Sequence, residues 1–261
     1  MSTIEYNPSE DEIKEAKDYL LERLDAEYSM ATNLKRVMEK AAEQIVVIAY
    51  KYNIPPENFS FSFNPNLQRE VDEVISGLVE EIIEDTDLLA TYHAEDREDE
   101  VIAFIHRETH GNTLDGRVTD YTDKYKRELE IGIIAALLLG KSGQEASSAI
   151  RENLSSPFKN PFIIEALKNG AIIEIPNYGR GHSNSMFNAL SKLTGHAVAE
   201  GWMYLQLLLA VDGGAIGFVT FRGSSYPCNI CDEYAGVVHT LDEPLPPLHL
   251  NCVCGAVFVY L

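Results

Sequence analysis

All four cysteines of this 261-residue chain fall within 27 residues, as Cys228-x-x-Cys231 and Cys252-x-Cys254, with His249 just ahead of the second pair. Written out, the pattern is C-x2-C-x17-H-x2-C-x-C. Two short clusters of soft donors joined by a loop are what a tetrahedral zinc site requires. Cys228 and Cys231 can bind through one tight turn, and Cys252 with His249 or Cys254 can close the other half. A structural zinc takes four ligands, so one of the five donors is spare. The spacing of Cys252 and Cys254 puts both on one face of an extended strand. Together with the strength of thiolate as a zinc ligand, this leans towards Cys254 as the fourth ligand, with His249 orienting a thiolate. Two other readings stay open: a pair of disulfides, or buried free thiols. No signal-peptide pattern opens the sequence, so a reducing compartment is expected, and that weighs against disulfides.

The flanks suit a structural clip. Ala215–Phe221 and Ala256–Tyr260 are short and rich in β-branched and aromatic residues, and each reads as a strand. Two strands alone are marginal in water. A metal held at their base adds its binding energy to folding. The expected fold class is α+β: a predominantly helical body, then a small C-terminal β-hairpin module clipped by a zinc-type Cys/His cluster.

Tyr226-Pro-Cys-x-x-Cys followed by Pro246-Pro-x-His-x-Asn-Cys-x-Cys254 resembles the C-terminal signature of phage minor head proteins of the Mu F type, also called head morphogenesis proteins. The main resemblance covers about residues 214–261. Two positions depart from the family pattern. Leu250 stands where proline is usual, and Val253 stands where a basic residue usually separates the last two cysteines. A second, weaker similarity lies upstream, where Gly140-Lys-Ser-Gly-Gln-Glu145 follows the family's G-x-S-x-x-E turn between helices. The family's Arg-Thr-Glu-like set before the cysteine module is represented here only by Arg180, His196 and Glu200. The resemblance implies a structural protein of the virion. It would assemble in the bacterial host cytoplasm, associate with the portal and other head proteins at the capsid vertex, and act in head assembly. Some members act in DNA packaging or ejection.

The net charge of −20 is unevenly placed. Residues 1–130 hold 31 acids and 14 bases, a net −17, and the remainder only −3. Binding to phosphates needs Lys and Arg, so the charge gives no indication of DNA contact and suits docking on a basic protein surface. Most of such a charge ordinarily serves solubility. No apolar run is long enough to span a bilayer, and Ile131–Leu139 reads as a core helix by length.

Along the chain, Ser9 and Glu12 form a capping box, followed by apolar residues at helical spacing to about Asn53, in one helix or two. Pro55-Pro56 stops that pattern. Phe59, Phe61 and Phe63 alternate with serines. They read as a short strand or extended arm that could anchor a partner, or as rings that plug a gap between helices. Further helices are expected over Leu67–Tyr92, about 98–107, 116–139, and from a second capping box at Ser142/Glu145 to about Leu154. A short one follows over Phe162–Asn169, then a strand stub at Ala171–Ile175, and a last long helix over about Ser183–Val211. Gly213-Gly214 is a hinge into the cysteine module. Three segments result: an acidic helical region 1–130, a helical core 131–212 that resembles the family's middle, and a Cys/His β module 213–261.

Enzymatic readings find less footing. His106-Arg-Glu-Thr-His110 lacks the glutamate directly after the first histidine that H-E-x-x-H demands. Gly140-Lys-Ser has Ala135 where a phosphate loop needs glycine. Pro227-Cys-x-x-Cys231 matches half of a zinc-deaminase signature, but His196 and Glu200 stand at H-x3-E spacing and not H-x-E. A zinc-stapled nuclease lacks a second histidine or a basic cluster beside His249. No nucleophile, general base or cofactor loop stands out, and no catalytic residue is assigned. A zinc-module protein–protein adaptor remains the third reading.

Overall fold

The computed structural model describes residues 6, 8–178 and 184–260. Among the described residues seven α-helices precede the cysteine module: α1 (Glu10–Lys51), α2 (Pro65–Ala90), α3 (Glu98–Ile105), α4 (Leu114–Leu138), α5 (Gly143–Glu152), α6 (Pro161–Lys168) and α7 (Met186–Asp212). The module holds β1 (Gly217–Phe221), a short α8 (Asn229–Tyr234), β2 (Val238–His239) and β3 (Gly255–Val259). The fold class is α+β, mostly helical, with one small antiparallel sheet near the C-terminus.

The first apolar series is a single helix of 42 residues. Ser9 caps it: its hydroxyl accepts from the Glu12 N–H, and the Glu12 carboxylate accepts from the Ser9 N–H. The second capping box, Ser142 with Glu145, also forms. Gly140 takes φ +65°, the left-handed turn that ends α4.

The chain forms two compact units, each assembled from non-consecutive segments. One comprises Met1–Ala31, Asp85–Leu114 and Lys192–Leu261, and the other Thr32–Glu84 and Asp115–Ser191. Composition and hinge signals in the sequence mark out consecutive segments instead.

In the second unit, Met38, Ile45, Leu67, Ile82, Leu129 and Ile133 are almost wholly buried. Each such side chain contributes roughly 1.5–3 kcal/mol through burial. The Tyr125 hydroxyl, also buried, donates to the Met38 carbonyl at 2.9 Å. Gly132 is a close-approach glycine, since a Cβ there would sit 3.0 Å from Ile150 on α5.

The Phe59–Phe63 segment is no strand. Phe59 and Phe61 are buried edge to face, while Phe63 is 80% exposed. The buried Glu130 carboxylate fixes the plug by accepting from the Phe61 N–H at 2.7 Å and the Ser60 hydroxyl at 2.9 Å. This partner, 69 positions away on α4, decides for the plug over the strand. The expected strand stub at Ala171–Ile175 also fails to form: residues 171–178 carry no regular structure. Ile172 is fully exposed, and among the described residues that segment has no sheet edge to join. The expected start of the last helix, Ser183, and Arg180 lie outside the described residues.

Glu128 on α4 is the main buried acid of this unit. Its carboxylate accepts from the Tyr178 hydroxyl at 3.0 Å and from the Met186 N–H, the first turn of α7, at 3.1 Å. Burial pushes its pKa up to about 8, against those two hydrogen bonds. A carboxyl raised in the folded state contributes stability that is full below its unfolded pKa, near 4.5, and is lost as pH rises through about 8. Glu128→Gln keeps an acceptor for both donors and carries no charge. Its melting temperature is therefore expected to exceed that of the parent above pH 8 and to converge with it near pH 5. Thermal melts across that range check this, and a variant that is less stable throughout would show that the ionised carboxylate is what the site holds.

In the first unit, Trp202 ties α7 to α1 and α2. Its ring lies 5.2 Å from Tyr19, its carbonyl accepts from the Tyr19 hydroxyl, and its Nε1–H donates to the Leu89 carbonyl at 2.7 Å. Gly201 beside it permits the approach of Ala90, whose Cβ would stand 2.9 Å from a Cβ at that position.

Candidate metal centre

β1 is the central strand of the sheet, order β2-β1-β3, and pairs antiparallel with β3 from Gly217↔Val259 to Phe221↔Gly255. The module is thus more than the hairpin expected from sequence. The connection between β1 and β3 contains α8 and β2, and β2 covers the other edge of β1 through Phe218↔His239 and Val219↔Val238. Gly217 and Gly255 are needed for closeness: a Cβ would meet the His239 carbonyl at 2.5 Å and the Phe221 ring at 2.4 Å respectively.

The first cysteine pair lies at the start of α8. The Asp232 N–H donates to the Cys228 carbonyl at 2.8 Å, and the Cys228 N–H donates to the Asp232 carboxylate at 3.2 Å. Arg222 clamps the same turn by donating to the Asp232 carboxylate and to the Tyr226 carbonyl. The second pair lies on the approach to β3. The Cys252 N–H donates to the His249 carbonyl at 3.0 Å, and Asn251 takes φ +62° in that turn. Asparagine tolerates this left-handed conformation better than most residues. Gly223 lets the two loops meet, because a Cβ there would overlap the Val253 carbonyl.

The five donors predicted from the sequence come together. Cys228, Cys231 and His249 form one group whose ligand atoms all lie within 4.8 Å, and Cys231, Cys252 and Cys254 form another. Cys231 belongs to both. His249 Nε2 stands 3.2 Å from Cys228 Sγ and 3.1 Å from Cys231 Sγ. Cys231 Sγ and Cys252 Sγ are 3.7 Å apart. Zn–S bonds of about 2.3 Å in a tetrahedron separate two sulfurs by about 3.8 Å, so this pair already matches. All four cysteines are free thiols, which excludes the disulfide reading for this structure. Cys231, Cys252 and Cys254 are buried. The cluster lies within metal-binding distance and suits a metal such as zinc.

The electrostatics divide the four thiols, favouring the thiolate at Cys252 and Cys228 and the neutral thiol at Cys231 and Cys254. A hydrogen bond from the Cys254 thiol, with backbone hydrogen bonds at Cys254 and Leu248, lowers the Cys252 pKa to about 4 against burial. The same contact and burial push Cys254 upward. Burial and the bond to Cys228 raise Cys231 to about 11. Cys228 is lowered, first by a backbone hydrogen bond from Cys231. A dication is what would let the remaining thiols ionise together.

Arg23 on α1 was not legible as part of this site. It is 0% exposed. Its Nη1 donates to the Cys254 carbonyl at 3.1 Å and its Nη2 to the Cys252 carbonyl at 3.3 Å. Its Nε faces the Glu27 carboxylate at 3.1 Å, an ion pair not aligned as a hydrogen bond. In the sequence it is one charge among many on an amphipathic helix.

Other histidines stand apart. His106 Nε2 lies 2.7 Å from the Asp87 carboxylate, while His110 is an exposed turn residue at φ +54°. His196 is close enough to feel the charge of Cys252 and His249, and burial lowers its pKa, but it joins neither ligand group. Glu200 is held by Arg107 Nη2 at 2.7 Å. The half-signature of a deaminase is therefore not completed by these two residues. Among the described residues no helix is long and apolar enough to cross a membrane.

Comparison with protein-family models, with curated proteins and with solved structures returned no match for this chain.

Proposed function

We propose that this chain is a structural protein of phage heads, of the Mu F-like minor head type, whose C-terminal module is clipped by one zinc. The observation that carries the reading is the closed cluster of Cys228, Cys231, Cys252, Cys254 and His249 at the base of a small sheet, on a motif that resembles that family's signature. Zinc is held by Cys228, Cys231, Cys252 and His249. The case for His249 over Cys254 is the orientation of its ring. Nδ1 donates to the Leu250 carbonyl at 2.9 Å, which fixes the tautomer and leaves the Nε2 lone pair directed at two thiols. Cys254 then serves as the thiol that hydrogen-bonds the Cys252 thiolate. Four protein ligands leave no position for a reacting water, so the metal's task is structural. The acidic character of the helical region supports docking on a basic face of the portal, in the virion, with no part for free duplex DNA.

The test is co-expression with a portal protein from the genome that encodes this chain. A stable complex that survives purification is expected, with no retardation of duplex DNA at moderate salt. DNA binding without portal binding would overturn the partner assignment.

A further inference from the structure

Beside the metal cluster runs a groove of about 510 Å³ lined mainly by half-buried apolar side chains. One wall is Tyr204 and Leu207 of α7 with Phe104 of α3. Phe104 and Tyr204 stack with ring centroids 3.9 Å apart, and the Arg107 guanidinium lies 3.7 Å from the Phe104 centroid, so this wall is stiff. The opposite wall belongs to the cysteine module. Ile230 lies between Cys228 and Cys231 and is 50% exposed. Leu248 packs against the buried cysteines and directly precedes His249. A metal at the cluster would thus hold both Ile230 and Leu248 in place.

We infer that this groove is a docking site for a short amphipathic helix of a partner protein, apolar on one face and bearing Lys or Arg beside it. Two observations select that occupant. The wall segment Pro244–Leu248 has prolines at 244, 246 and 247, and these offer no N–H. A strand cannot be added along such a wall, so the occupant must satisfy its own backbone, as a helix does. The lining carries three carboxylates, Glu200, Asp242 and Glu243, and one guanidinium, Arg107. Arg107 is engaged by Glu200, and Glu243 is paired with the His239 ring at 2.9 Å. Asp242 has no ion-pair partner among the described residues and stands exposed at the rim. A cationic segment gains there, whereas a second copy of a chain with net charge −20 is repelled.

The proposal rests on the metal reading for the rigidity of one wall, so the experiment measures both. The full chain, purified under reducing conditions and assayed for zinc, is presented to a displayed library of random short peptides. Enriched peptides are measured by fluorescence anisotropy against the parent, Ile230→Glu and Asp242→Lys, two exposed positions at which folding is checked by circular dichroism. The expected result is enrichment of sequences with apolar residues at helical spacing and at least one Lys or Arg. Their affinity should fall about tenfold or more with Ile230→Glu, which replaces an apolar contact by a carboxylate that the apolar face of the helix would have to desolvate. Asp242→Lys should weaken them severalfold. No enrichment, acidic winners, or equal binding to both variants overturns the docking site even if zinc is present. Groove-dependent binding by a chain found to lack zinc upholds the docking site and removes the metal reading. Self-association abolished by Ile230→Glu would make the occupant a second copy and overturn the assignment.

Discussion

Cys231→Ala is expected to abolish metal binding and unfold the cysteine module. Cys231 is the one donor common to both groups of ligands, with His249 Nε2 at 3.1 Å and Cys252 Sγ at 3.7 Å, so its loss removes the sulfur that joins the two groups. The apolar cluster at the sheet is small: Phe218 and Ala256 against Met203 of α7, with Leu241, Leu245 and Phe258 packed beside them. Structural zinc adds on the order of 10 kcal/mol of binding free energy to folding in small domains, which dominates such a core. Metal analysis of the reduced parent should give about one zinc per chain, and Cys231→Ala close to none. Less than about half a zinc per parent chain would sink the structural site. The fourth ligand is decided by two further variants. His249→Ala should release the metal, while Cys254→Ala should retain it with lower affinity. The reverse order would return Cys254 to the ligand set, as the strand spacing alone suggests.

Arg23→Met is the second large effect. The guanidinium is wholly buried and spans the Cys252 and Cys254 carbonyls, so its loss leaves two acceptors without donors and the Glu27 carboxylate without its partner. Removing one member of a buried ion pair costs about 3–5 kcal/mol, mostly through the charge left behind. Glu27 is already held above the usual carboxylate range by burial, with Arg23 opposing that rise. Urea unfolding of the zinc-loaded protein is the measurement. Arg23→Lys should recover only part of the loss, because an ammonium cannot bridge two carbonyls with a planar fork. The double change Arg23→Met with Glu27→Met should recover the share due to the stranded charge and leave the share due to the carbonyls. A loss below about 1 kcal/mol for Arg23→Met would show that the pair is no more than a surface-type salt bridge.

Residues whose role is local were readable in advance. Both capping boxes, the glycine that ends α4, the end of α1 before Pro55-Pro56, and the strands at β1 and β3 follow from spacing within a few residues, which backbone geometry enforces wherever the chain lies. Where two readings stood open, or one failed, a distant partner decided the outcome. Of the two readings of the Phe59–Phe63 segment, strand or plug, the plug forms for Phe59 and Phe61, held by Glu130 about seventy positions away. Ala171–Ile175 has strand composition without a neighbouring edge, and a strand without a partner leaves its backbone unpaired. The short β2, two residues long, carries too little pattern to be seen at all.

The candidate metal centre divides in the same way. Its five donors are fixed by the chain itself, because soft ligands at C-x2-C and H-x2-C-x-C spacing can reach one point through two tight turns. Which of them share that point is a matter of tertiary structure. The ring orientation of His249, the approach of the two loops over Gly223, and the bond from Cys254 to Cys252 exist only once β1 and β3 pair. Arg23 shows the limit most plainly. It lies more than two hundred residues from the cysteines whose carbonyls it binds, and no local pattern separates it from the other cations of its helix. Only the packing that buries it, and the unmet acceptors that must be satisfied when β3 is laid down, give that charge its place.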